Sequence, residues 1–135
     1  MPYELSFANP LRAIAKDSYI NDCCVGGDVV AEALIPGLRS RYGELSPVEE
    51  DWGWFLWFEH SDSKLAVDIF CDEPNTGKFR IHLTSRIRRL FGSRVLDTPE
   101  LETLKRLVVN AITAWVGSAP QVLKLDVKYM PMDGA

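Results

Sequence analysis

Asp68, Arg80 and His82 are a carboxylate, a guanidinium and an imidazole at even positions of two neighbouring segments that alternate with period two. Brought together, such groups bind an anion, move a proton or anchor a partner through charge-assisted hydrogen bonds. Before them runs Trp54-Phe55-Leu56-Trp57-Phe58, aromatic almost throughout and strand-forming. If the segments lie side by side, one face gathers Phe55, Trp57, Asp68, Arg80 and His82.

Other chemistry is weaker. A Cys71–His82–Asp68 nucleophile system fails on alternation, because Cys71 shares the face of Ile69 and Val67, opposite to Asp68. Cys24 precedes Gly26-Gly27-Asp28, yet the position six residues on, where a phosphatase-like loop needs Arg, is Val30. His60 and His82 form no HxxxH or HxxE arrangement, so neither a metal nor a cofactor is expected. The run from Asp72 to Gly77 lacks the alternating ligands of a calcium loop and reads as a hairpin connection. Gly26-Gly27 does not continue into a phosphate-cradling motif.

Charge is segregated. From Glu44 to Glu73 nine acids face a single base, Lys64, whereas Lys78 to Arg94 carries six bases and no acid. Segments of opposite sign attract and cancel; alternatively Arg86, Arg88, Arg89 and Arg94 form an anion- or nucleic-acid-binding patch. The net charge of −4 argues against nonspecific binding to nucleic acid. Cys23, Cys24 and Cys71 lack CxxC spacing and read as small buried hydrophobes of a reducing compartment. Neither an export signal nor an apolar run of the roughly 20 residues that a membrane span needs is found. The expectation is a soluble cytoplasmic chain with no membrane contact.

The elements that must position these residues follow from periodicity. Leu101, Leu104, Leu107, Val108, Ala111, Ile112, Trp115 and Val116 recur at spacings of three and four, predicting a helix over Pro99 to Val116. Thr98 caps it, Pro99 fills its first position, and Gly117 ends it. Lys105 falls on its opposite stripe. Trp52 to Thr84 reads as a three-stranded meander turning at Ser61-Asp62 and at Asp72 to Gly77. The acids at Glu49, Glu50 and Asp51 read as a solvated loop entering it. Gly53, between two tryptophans, relieves crowding on a neighbouring strand or marks a bulge. Leu123, Leu125, Val127 and Tyr129 alternate with polar residues as a further strand, and Tyr3 to Phe7 suits a short one. Asp28 to Leu34 reads as a helix capped by Asp28 and interrupted at Pro36-Gly37, with Leu38 to Tyr42 as a continuation beyond a kink and a hairpin at Gly26-Gly27 as the alternative.

No repeat or linker divides residues 1–135, so a single globular domain is expected. The architecture expected is α+β: an antiparallel sheet of four to five strands with one or two helices packed on one face. A turn at Ser61-Asp62 pairs Glu59 with Lys64, Trp57 with Ala66, Phe55 with Asp68 and Leu56 with Val67; Asp68 then faces Arg80 or His82. The Phe55–Trp57 face is either covered by the chain itself, through Leu11, Ile14, Tyr19 and Ile20, or bound by something else. The reading favoured is a small non-enzymatic interaction domain that self-associates, as a homodimer, or takes a protein partner through this face. The alternatives are a small enzyme or ligand-binding protein with an Asp68/Arg80/His82 pocket, and an anion or nucleic-acid binder using Arg86 to Arg94.

Overall fold

Alternation from residue 53 to 89 produces the strands that carry the candidate site, and two amphipathic helices cover one face of them. A computed structural model describes residues 2–9, 19–20, 24–73, 77–89, 92–95, 98–126 and 128–132, with side chains at 88–89 and 92–95 outside the description. In chain order the elements are β1 (Tyr3–Ala8), α1 (Gly27–Tyr42), β2 (Val48–Glu50), β3 (Gly53–His60), β4 (Ser63–Glu73), β5 (Lys78–Arg89), β6 (Gly92–Val95), α2 (Pro99–Val116) and β7 (Gln121–Lys124). The sheet order is β2-β3-β4-β5-β1-β7, and β6 pairs with the far end of β5. Every pairing of these strands is antiparallel.

The fold is α+β as expected, but among the described residues the sheet has seven strands rather than four or five. Two were hidden by composition. Glu49 and Glu50, read as a solvated loop, lie in β2, a three-residue edge strand paired with Trp54 and Gly53. Charged residues suit such an edge because they discourage pairing with another chain. The arginine-rich run is also strand: β5 continues to Arg89 and folds back, so that Arg86 faces Val95 and Arg88 faces Ser93.

The long final strand is also corrected. β7 stops at Lys124, Leu125 makes an isolated bridge to Pro131, and Asp126 Oδ1 accepts from the backbone N–H groups of Lys128 and Met130. This local capping competes with strand pairing and turns the chain. Val127 lies outside the described residues.

The buried face comprises Leu56, Leu65, Val67, Ile69, Ile81 and Leu83 from the sheet, with Leu34 and Leu38 from α1 and Leu104, Val108 and Ile112 from α2. Cys24 and Cys71 are buried too. α1 continues to Tyr42, as a continuation past Pro36 allowed, but as one helix without the interruption expected at Pro36-Gly37. The proline is exposed, so its ring disturbs only the solvent side, while Val30, Ala31, Leu34, Ile35 and Leu38 hold the other side. Gly26, not Asp28, is the residue before the helix, with φ 88°. α2 has the predicted ends: Thr98 Oγ1 accepts from Leu101 N, and Gly117 ends it in the left-handed region. Lys105 is half-buried rather than free, reaching Glu102 and the face of the Tyr3 ring.

Gly53 shows how tightly β3 meets β4. A Cβ there would lie 2.2 Å from the Ile69 carbonyl oxygen, at φ 155°. The glycine relieves crowding against the neighbouring strand, the first of its two expected roles.

Candidate functional site

The register of the meander decides which side chains share the sheet face turned away from the helices. β3 pairs with β4 so that Phe55 faces Asp68, Leu56 faces Val67, Trp57 faces Ala66 and Glu59 faces Lys64, all as the turn at Ser61-Asp62 requires. β4 pairs with β5 so that Asp68 faces His82, the second of the two alternatives, and Phe70 faces Arg80. β1 adds Glu4 beside His82 and Ser6 beside Arg80. Phe55, Trp57, Asp68, Arg80 and His82 therefore lie on one face, away from the helices. Cys71 is buried on the other side, away from His82 and Asp68.

An aromatic wall runs along β3 and its entry. Phe55 and Trp57 pack at 4.2 Å between ring centroids, Trp52 stacks on Phe55 at 6.1 Å, and Trp52 meets Phe70 at 5.3 Å. Trp57 is 61% exposed. Its indole Nε1 donates to Asp68 Oδ1 at 2.8 Å, which fixes the ring. Burial pushes the Asp68 carboxyl above the usual carboxylate range; the Trp57 hydrogen bond and the charges of His82 and Arg86 oppose this without overcoming it.

The polar half of the site is knitted to itself. Arg80 Nε and Nη2 donate to Asp72 at 3.1 and 3.3 Å, and its guanidinium lies 4.5 Å over the Phe70 ring. His82 Nε2 lies 3.0 Å from Glu4 Oε1 and 3.2 Å from Arg80 Nη1. Phe70 meets the imidazole edge-on, and Tyr129 stacks on it at 5.5 Å. Arg80 and His82 thus spend their hydrogen bonds on neighbouring carboxylates, and the imidazole is enclosed between rings. Asp68 is held by Trp57, not by either of them.

Sequence reasoning missed Glu4, Phe70, Asp72 and Tyr129. Glu4 carried a signal, the alternation Tyr3-Glu4-Leu5, but its neighbour β5 is a long way off in sequence. Tyr129 carried none, since it reaches His82 from a turn at φ 63°.

Beside Trp57 the face is hollow. A cleft of about 490 Å³ runs over Ala66 and Thr84, with Trp57 on one side, Tyr129 on the other, Asp68 towards one end and Lys64 and Arg86 towards the other. Arg88, Arg89 and Arg94 lie in β5 and β6, but their side chains are outside the description, leaving Arg86 as the described member of the basic run. Of the segment that was to cover the aromatic face, Leu11 and Ile14 lie outside the described residues. Tyr19 instead packs against Trp54 and donates to Asp28, while Ile20 is exposed. Among the described residues no cluster of His, Cys, Asp and Glu could hold a metal ion, and no helix is long and apolar enough to cross a membrane.

No protein-family model, curated protein or solved structure matches this chain.

Proposed function

We propose that the chain is a non-enzymatic binding domain whose working surface is the sheet face turned away from the helices, and that a second copy of the chain covers its aromatic wall. One observation carries this reading: Trp57 is a large, exposed side chain whose own N–H is already satisfied by Asp68. Burying it against a partner removes apolar surface from water and leaves no indole donor stranded. Trp52, Phe55 and Phe70 widen the patch, and exposed Val48 lies beside Phe55 on the edge strand. An exposed tryptophan among half-buried aromatic rings, with arginine beside them, has the make-up of an interface centre. The enclosure of His82 and the pairing of Arg80 with Asp72 favour a structural role for these two groups over proton transfer.

Sedimentation velocity over a hundredfold range of concentration tests it. The wild-type chain is expected to move from monomer to dimer, and Trp57→Glu to remain monomeric with unchanged circular dichroism. A wild-type chain that is monomeric throughout would remove the second copy as the occupant.

A second reading has its own observation, the cleft over Ala66 and Thr84. Its volume lies within the range of small-molecule sites, roughly 300–1,000 Å³.

A further inference from the structure

We infer that the cleft between Trp57 and Tyr129 binds a small planar aromatic anion that carries a hydrogen-bond donor at the end remote from its charge. The inference rests on the reading of the sheet face opposite the helices as a binding surface and names the ligand class of one part of it.

The argument begins with the floor. Ala66 and Thr84 are direct partners across β4 and β5. Two small side chains side by side, flanked by long ones, leave a trough where a sheet would otherwise be filled. Trp57 is the cross-strand partner of Ala66 on the other side, so the trough has an indole for one wall, and Tyr129 lines it as a second ring. A flat, largely apolar body suits a trough walled by rings.

The ends differ in charge. Lys64 and Arg86 are partners one row beyond the floor, and both line the cleft. Among the described residues neither makes an ion pair. Glu59 stands beside Lys64 on β3, an exposed carboxylate that tempers the positive end without closing it. At the other end lies Asp68, whose backbone is four residues from that of Lys64 and hence about 13 Å away along the strand, while the long Arg86 side chain brings its charge within reach of Asp68. Asp68 Oδ1 already accepts from Trp57, so its other oxygen is the acceptor offered to a ligand. A carboxylate or phosphate at the Lys64–Arg86 end, a ring over Ala66 and a donor at Asp68 satisfy the whole trough. A ligand of reversed polarity would set an anion against Asp68 and a donor against two cations.

The probe is 4-aminohippurate, whose aniline N–H groups and carboxylate lie at opposite ends of a flat body. Titration of the ¹⁵N-labelled chain is read at the Trp57 indole resonance. A saturable shift with a Kd of about 1 mM, the affinity of a fragment-sized ligand, is expected. The neutral glycinamide analogue should bind about tenfold more weakly, as should the probe on Arg86→Ala or Lys64→Ala. Ala66→Leu should fill the trough and abolish the shift; because Arg86 is exposed, R86A tests the site even if A66L fails to fold. No saturable shift, equal binding of the neutral analogue, or indifference to both R86A and A66L would overturn the inference. A monomeric chain that binds the probe would discard the second copy and keep the cleft, and a dimer with a silent cleft would do the reverse.

Discussion

Asp68 shows how one residue can be set by competing terms. It is a carboxylate within a sheet face, drawn towards ionisation by Trp57 Nε1 and by the charges of His82 and Arg86, and towards neutrality by burial. Burial wins, so the folded chain holds this proton more tightly than the unfolded chain does. Stability from this group is therefore greatest at low pH and falls as pH rises past the ordinary carboxyl range. Asp68→Asn keeps an oxygen to accept from Trp57 and removes the ionisable charge. Thermal melts should show D68N with the higher midpoint at pH 8 and no advantage at pH 4. An advantage that instead grew on acidification would mean that the Trp57, His82 and Arg86 terms dominate.

At the scale of elements, α2 is the clearest case of sequence dictating structure. Its apolar stripe, the Thr98 cap, Pro99 and Gly117 all act within the helix or one turn beyond it, so no distant partner was needed to predict it. Packing then grades the stripe. Leu104 is fully buried, whereas Leu107 is half-buried against the rim of the core. Leu104→Ala should cost about 2–5 kcal/mol, by lost burial and the cavity left behind, and Leu107→Ala distinctly less. Urea denaturation of both variants checks this; equal costs would mean the helix is rotated from the position described. β2, β6 and the shortened β7 were illegible for a shared reason. Short edge strands and turns depend on what lies beside them, and their own residues, Glu49, Glu50 and Arg94 among them, resemble a solvated loop.

At the scale of the molecule, one polar cluster ties the two helices together. Arg41, in the last turn of α1, donates Nε and Nη2 to the two oxygens of Glu100 in the first turn of α2, at 2.6 and 2.7 Å, and Tyr42 Oη adds a third donor at 2.7 Å. The Arg41 hydrogen bonds, followed by that of Tyr42, hold the Glu100 carboxyl at a pKa of about 2 against the opposing effect of burial. The sign follows: a depressed carboxylate contributes stability above its unfolded pKa of about 4.5, lost as pH falls towards 2. Arg41 is 40% exposed, so solvent screens the pair and the contribution is modest. Glu100→Gln should lower Tm by about 2–3 °C at pH 7 and leave it unchanged at pH 2. A difference that persisted at pH 2 would assign the loss to packing rather than charge.

The sequence by itself determined the α+β class, the ends of α2, the turn at Ser61-Asp62 and, through that turn, which side chains lie on each face of β3 and β4. These are short-range matters: a two-residue turn sets a register, and a period of two assigns every side chain in the strand to a face. Tertiary structure alone decided that β1 lies beside β5, which supplied Glu4 to His82. It also folded the chain after Lys124 back so that Tyr129 meets the imidazole and walls the cleft. Both depend on pairing across most of the chain, where the closure entropy is met by the assembled core and no local pattern records the partner.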